Sequence, residues 1–195
     1  MKTLEEQLQL AGLQVRGSCL PLSHAYGDDF LQVSQLLQDM TPAEAYVLGA
    51  SILMVRVQPG EALIREGDAG DWMLLVLKGT VDITKRIFPR HEDADKDASP
   101  PLEQAESASQ EFSRIAVIGR GVSLGEMSML DSEPRYASCT AIEAVEAGVL
   151  GRREIGLLIR DHPGVGAKLL VKITQLMARR LRNTSNQLVR LIRKQ

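Results

Sequence analysis

Chemistry in this chain concentrates in one stretch, Gly119 to Thr140, which reads GRGVSLGEMSMLDSEPRYASCT. Gly125 precedes the carboxylate of Glu126 inside an otherwise apolar run from Leu124 to Met127, and Ser128 follows. Glycine lets a backbone approach a ligand closely and adopt dihedrals closed to other residues. A short helical turn starting there would aim backbone N–H groups and a positive dipole end at an anion. Arg135 comes nine residues after Glu126, between Pro134 and Tyr136-Ala137-Ser138. A guanidinium fork suits two phosphate oxygens. A carboxylate only accepts, which suits a sugar hydroxyl. One cation, one acceptor and a row of backbone donors therefore match a phosphate beside a ribose 2′-hydroxyl. No nucleophile–base pair, metal-ligand cluster or Walker-type loop accompanies them, so the expected chemistry is binding without catalysis or metal.

The surrounding elements fall into three segments. Residues 1–51 read as helical: Leu4, Leu8 and Leu10 form a weak apolar face, 17–27 a loop, and Phe30, Val33, Leu36 and Leu37 recur at helical spacing. Thr41-Pro42-Ala43-Glu44 has the composition of a capping box with proline in the first turn. Residues 52–152 change texture. Short apolar or alternating runs at 52–57, 62–65, 72–77, 81–84, 113–118, 137–141 and 144–150 are punctuated by Pro59-Gly60, Gly67-Asp68 and Lys78-Gly79. That rhythm predicts an all-β roll or sandwich. Residues 89–111 are acidic, Ser-, Ala- and Pro-rich, and bury too little apolar surface to offset ordering; they are expected to form a flexible loop. Residues 153–195 return to helix, a short one at 153–160 and a long one from 165 to 192. In the long helix Leu170, Ile173, Met177, Arg180, Thr184, Leu188 and Leu191 follow near-heptad spacing, which predicts pairing with a copy of itself.

The run LGEMSML, then DSE, then PRYAS, resembles the phosphate-binding cassette of cyclic-nucleotide-binding domains, the family of the catabolite activator proteins and the regulatory subunits of cAMP-dependent protein kinase. The resemblance implies a mainly β fold: a cyclic-nucleotide-binding β-roll, jelly-roll-like, with flanking helices and a long C-terminal dimerisation helix. It also implies a ribose contact for Glu126 and a cyclic-phosphate contact for Arg135. Leu124, Gly125, Met127, Ser128, Pro134, Tyr136 and Ala137 complete the cassette, with backbone donors from Gly125, Met127 and Ser128. Ser138 stands open between a ligand contact and a strand hydroxyl. The opening VQPGEALIREGD and Gly79 resemble the family's first strands. Met177 to Ser185 resembles the activators' dimer helix, where a Thr-Ser pair meets adenine; Thr184 and Ser185 occupy that place. Leu124 departs from the family's usual Phe, Ser128 replaces a small apolar residue, and the acidic insertion is longer than usual. The sequence closes at Gln195, so a helix-turn-helix like that of the activators is not expected.

The expected function is a cyclic-AMP sensor that signals through a downstream protein, with cyclic GMP or a ligand-free dimerisation scaffold as alternatives. Net charge is −2, which gives no general reason to expect nucleic acid or an anionic membrane as partner. The arginines near the C-terminus suit a solvated helix end, and a DNA-binding role for them is the weaker reading. No apolar run spans a bilayer and no secretory leader opens the chain, so a cytoplasmic setting is expected. Cys19 and Cys139 form no CxxC pair, and His24, His91 and His162 are scattered without partner spacing.

Overall fold

A computed structural model describes residues 2–18, 29–87 and 111–193. The chain order is α1 (Leu4–Leu10), β1 (Gln14–Ser18), α2 (Phe30–Val33), α3 (Pro42–Ala50), β2 (Leu53–Val57), β3 (Ala62–Ile64), β4 (Trp72–Lys78) and β5 (Val81–Ile87). It continues with β6 (Glu111–Ile118), β7 (Ser123–Leu124), α4 (Glu126–Asp131), β8 (Ser138–Ala141), β9 (Val145–Gly151), α5 (Arg152–Asp161) and α6 (Pro163–Ile192).

The strands form two antiparallel sheets, ordered β1-β2-β9-β4-β7 and β3-β8-β5-β6. Strand β4 explains the layering. Trp72, Leu74 and Val76 point between the sheets, into a core shared with Val55, Val81, Ala147 and Val149. Met73, Leu75 and Leu77 point the other way, into a second core built with Leu37 and with Leu48, Leu158, Leu169 and Ile173 of the helices. A strand covered on both faces reads as an unbroken apolar run, which is what WMLLVL is.

The helix start at Thr41 forms as its residues predict. The Glu44 N–H donates to Thr41 Oγ1, and the Thr41 N–H donates to Glu44 Oε2 at 2.8 Å. Residues 1–51 are not helical throughout, however. Gln14–Ser18 forms β1, an edge strand antiparallel to β2. Leu10 is exposed while Leu4 and Leu8 are buried. Helix α2 stops at Val33, and Leu36 and Leu37 reach the core from a turn. Strand β5 runs three residues further than 81–84, and Glu111 belongs to β6. The rest of the acidic insertion, with most of the loop expected at 17–27, lies outside the described residues.

The long helix α6 is divided by its surroundings. Leu169, Lys172, Ile173 and Leu176 are buried, while Leu181, Leu188, Leu191 and Ile192 are exposed. The seam read from the sequence is therefore two surfaces: its first positions pack on this chain's own helices, and only its last positions are free. Lys172 is held by Asp39, and Lys168 donates to both oxygens of Glu44 at 2.7 Å. These pairs fasten the buried half of α6 to the N-terminal segment.

Candidate functional site

Strand β7 pairs with the middle of β4, Leu124 opposite Leu74, and so anchors the start of the cassette in the first sheet. The chain then turns through Gly125 at φ 77, a left-handed conformation, and enters the six-residue helix α4. An added Cβ at Gly125 would lie 2.7 Å from Arg135 Nη1, so both the dihedral and the space demand glycine. Glu126 is the first residue of α4 and is 1% exposed. Its Oε1 accepts from Arg180 Nη1 on α6, and its buried Oε2 has no partner. A buried carboxylate oxygen left unpaired is costly, and such groups are rare in folded proteins.

Arg135 is 3% exposed and lies beneath the same turn. Nη1 donates to the Gly125 carbonyl at 2.9 Å and Nη2 to the Trp72 carbonyl at 2.8 Å. The guanidinium also stacks over the Trp72 ring, 4.2 Å from its centre. Burial lowers its pKa, and the negative charges of Asp71, Asp68 and Glu126 act in the opposite direction. Neutral carbonyls satisfy two of its donors, and among the described residues no carboxylate is hydrogen-bonded to it. The loop before β4 leaves room for this side chain because Gly70 has none. A Cβ there would lie 2.3 Å from Nη2. The cavity against Arg135 and Trp72 measures about 20 Å³.

The remaining cassette residues divide between structure and surface. Leu124 is in the core, Met127 is half-exposed, and Ser128 is buried with its hydroxyl 3.4 Å from the Pro134 carbonyl. Pro134 is exposed, and Ala137 is partly buried. Tyr136 is exposed, its ring capped by the Lys85 ammonium at 4.4 Å. Ser138 Oγ accepts the Glu66 N–H at 3.0 Å, so it serves the loop between β3 and β4. That loop is bound to the cassette on both sides. The Gly67 N–H donates to the Arg135 carbonyl, and the Arg135 N–H to the Asp68 carbonyl. Cys139 lies in the core below, its thiol pushed up to about 12 by burial.

The structure thus brings Glu126, Arg135, Gly125 and the first turn of α4 together. It does not bring Thr184 and Ser185 to them. Both are exposed on α6 beyond Arg180, and Thr184 Oγ1 donates back to the Arg180 carbonyl at 3.0 Å. Arg180 is the residue the sequence reading missed. It donates to Glu126 and, through Nη2, to the Ser123 carbonyl, which ties the long helix to the cassette. The available signal was a cation at a seam position that asks for an apolar residue. Among the described residues no group of three side chains is placed to hold a metal ion, and no helix is long and apolar enough to cross a membrane.

Comparison with known proteins gives this geometry its context. No family model matches the sequence. A cyclic nucleotide-binding domain from Methylobacillus flagellatus superposes with a TM-score of 0.72 at 26% identity, covering 97% of this chain and 94% of that one. The fold is that of the cyclic-nucleotide-binding β-roll. The Cyclic AMP receptor protein of Thermus thermophilus is 33% identical over 156 residues, 80% of this chain and 61% of that protein. The CRP-like cAMP-activated global transcriptional regulator of Mycobacterium tuberculosis is 27% identical over 165 residues, 85% of this chain and 63% of that protein. The chain therefore spans under two thirds of the length of these two relatives.

Proposed function

We propose that this domain binds cyclic AMP at the N-terminal turn of α4 and signals the binding through α6 to a protein partner. The observation that carries the reading is the pair of buried, incompletely matched charges at one turn: Glu126 Oε2 without a partner, and Arg135 held by two carbonyls and the Trp72 ring, with no carboxylate hydrogen-bonded to it among the described residues. Arg135 and the cassette amides would take the cyclic phosphate, and Glu126 the ribose hydroxyl. Pairing with the phosphate asks Arg135 to give up one of its two carbonyl partners. Binding also asks Arg180 to share or release Glu126, and that is the contact by which a ligand would shift α6.

The exposed half of α6 supplies the rest of the site. Leu181, Leu188, Leu191 and Ile192 leave an apolar face on a helix about 45 Å long. Its burial on a second copy would make a homodimer. Thr184 and Ser185 lie within that stretch, where each subunit's helix would present them to adenine. Cyclic GMP is the alternative and rests on Ser138: its hydroxyl accepts from Glu66 and keeps a proton to donate. Competition between the two nucleotides decides it.

Trp72 is the only tryptophan and lies under Arg135, so its emission reports the guanidinium directly. Addition of cyclic AMP should change wild-type emission in a saturable way. Arg135→Ala should lose about 2–5 kcal/mol of binding, which moves the midpoint at least thirty-fold or out of reach. A ligand-dependent change with the wild-type midpoint in R135A contradicts the reading.

A further inference from the structure

Helix α4 has six residues, too few to hold its own geometry. It starts at Gly125 with no side-chain cap and ends at Ser132, which has φ 68 although it is not glycine. A left-handed serine is held in place by its surroundings. Arg152 is that surrounding group. Its Nε donates to the Met129 carbonyl at 2.6 Å, Nη1 to Ser132 Oγ at 2.8 Å and Nη2 to the Ser128 carbonyl at 3.3 Å. The last carbonyls of a helix carry the negative end of its dipole; the Ser128 carbonyl also accepts the Ser132 N–H at 3.0 Å, and the guanidinium adds a donor to it and to the Met129 carbonyl. The Arg152 N–H in turn donates to the Asp71 carbonyl at 2.8 Å, next to Gly70 and Trp72, which pack against Arg135. Arg152 also opens α5, and α5 leads through His162 into α6.

We infer that Arg152 is the positioning residue of the ligand site, fixing α4 by its C-terminal end so that Glu126 and the N-terminal amides face the ligand, and coupling that helix to α5 and α6. The inference rests on the reading of the site given above. Arg152 meets α4 at the end away from Glu126, so it acts on a ligand only through the helix. It also gives α6 a second link to the cassette, independent of Arg180: any displacement of α4 pulls on the first residue of α5.

The test compares wild type with R152A, R152Q and R152K, and with R153A on the exposed neighbouring arginine as control. Calorimetric titration with cyclic AMP is read beside the urea midpoint of the free protein and amide exchange in 126–132. R152A and R152Q are expected to weaken binding about ten-fold and to speed exchange in 126–132. R152K is expected to recover part of the affinity, and R153A to match wild type. R152Q keeps a donor and most of the side chain's length, so it carries the result if R152A folds poorly. Wild-type affinity and wild-type exchange in R152Q overturn the role of Arg152 alone. Failure of the wild-type protein to bind overturns the reading of the site, and this role with it. A fall in urea midpoint without faster exchange in 126–132 assigns Arg152 to general stability and also overturns the inference.

Discussion

Gly70 and Gly125 both make room for Arg135, for different reasons. Gly125 needs its left-handed dihedral and its space; Gly70 needs only space. Gly125→Ala should therefore cost about 1–2 kcal/mol of stability as well as ligand affinity. Gly70→Ala meets the guanidinium end of Arg135. It should move the guanidinium off Trp72 and change the emission, with a smaller loss of stability. Urea unfolding beside emission spectra checks the pair, and an unchanged spectrum in G70A would contradict the packing. Glu66 makes a second residue-scale prediction. Burial raises its pKa, but the Arg86 N–H and the Lys85 ammonium outweigh it and leave the carboxyl below its usual value of 4.5. A lowered folded pKa gives a contribution that is complete above the unfolded value and is lost as pH falls through the folded one. Glu66→Gln should thus be less stable than wild type at neutral pH and lose less on acidification below about pH 5. Parallel pH-stability curves for E66Q and wild type would contradict this.

At this scale the sequence was informative for Glu126 and Arg135, because a carboxylate and a guanidinium around a Gly turn have few purposes together. It was uninformative for Arg180 and Arg152. Their partners lie 54 and about 20 residues away and meet them only through the fold.

Among the elements, β4 and α6 teach opposite lessons. The apolar run of β4 is legible because burial on both faces leaves no alternation to misread. The seam of α6 was legible as a pattern but not as an interface: Ile173 satisfies the same spacing by packing on its own domain. Strand β1 escaped notice because Gln14–Ser18 has one partly buried side chain and a glycine, which give neither period. The free half of α6 should nonetheless behave as an interface. Leu188→Glu with Leu191→Glu places charges on exposed positions of this chain, so it should leave the fold and melting of the monomer intact. It should convert a dimer to monomers in sedimentation velocity. A wild-type protein that sediments as a monomer at all concentrations contradicts self-pairing.

Over the whole molecule, the two sheets bring the loop before β4, the cassette and β8 around one turn, and α6 crosses that turn with Arg180. Strands β5 and β6 pair antiparallel from Val81 opposite Ile118 to Ile87 opposite Glu111, with a register shift between Ile83 and Thr84. The order of the roll was expected from evenly spaced strands and from the cassette's resemblance. The closure of the site was not, because it depends on where Arg135 and Arg180 rest.

The central claim is that a cyclic nucleotide binds at this turn, and calorimetric titration of the wild-type protein with cyclic AMP and then cyclic GMP tests it most directly. At about 0.3 kcal/mol per non-hydrogen atom, a ligand of roughly 22 such atoms gains about 7 kcal/mol. The account predicts cyclic AMP binding with Kd on the order of 10 µM or tighter. No heat from either nucleotide at millimolar concentration would contradict it and leave a ligand-free scaffold of the same fold.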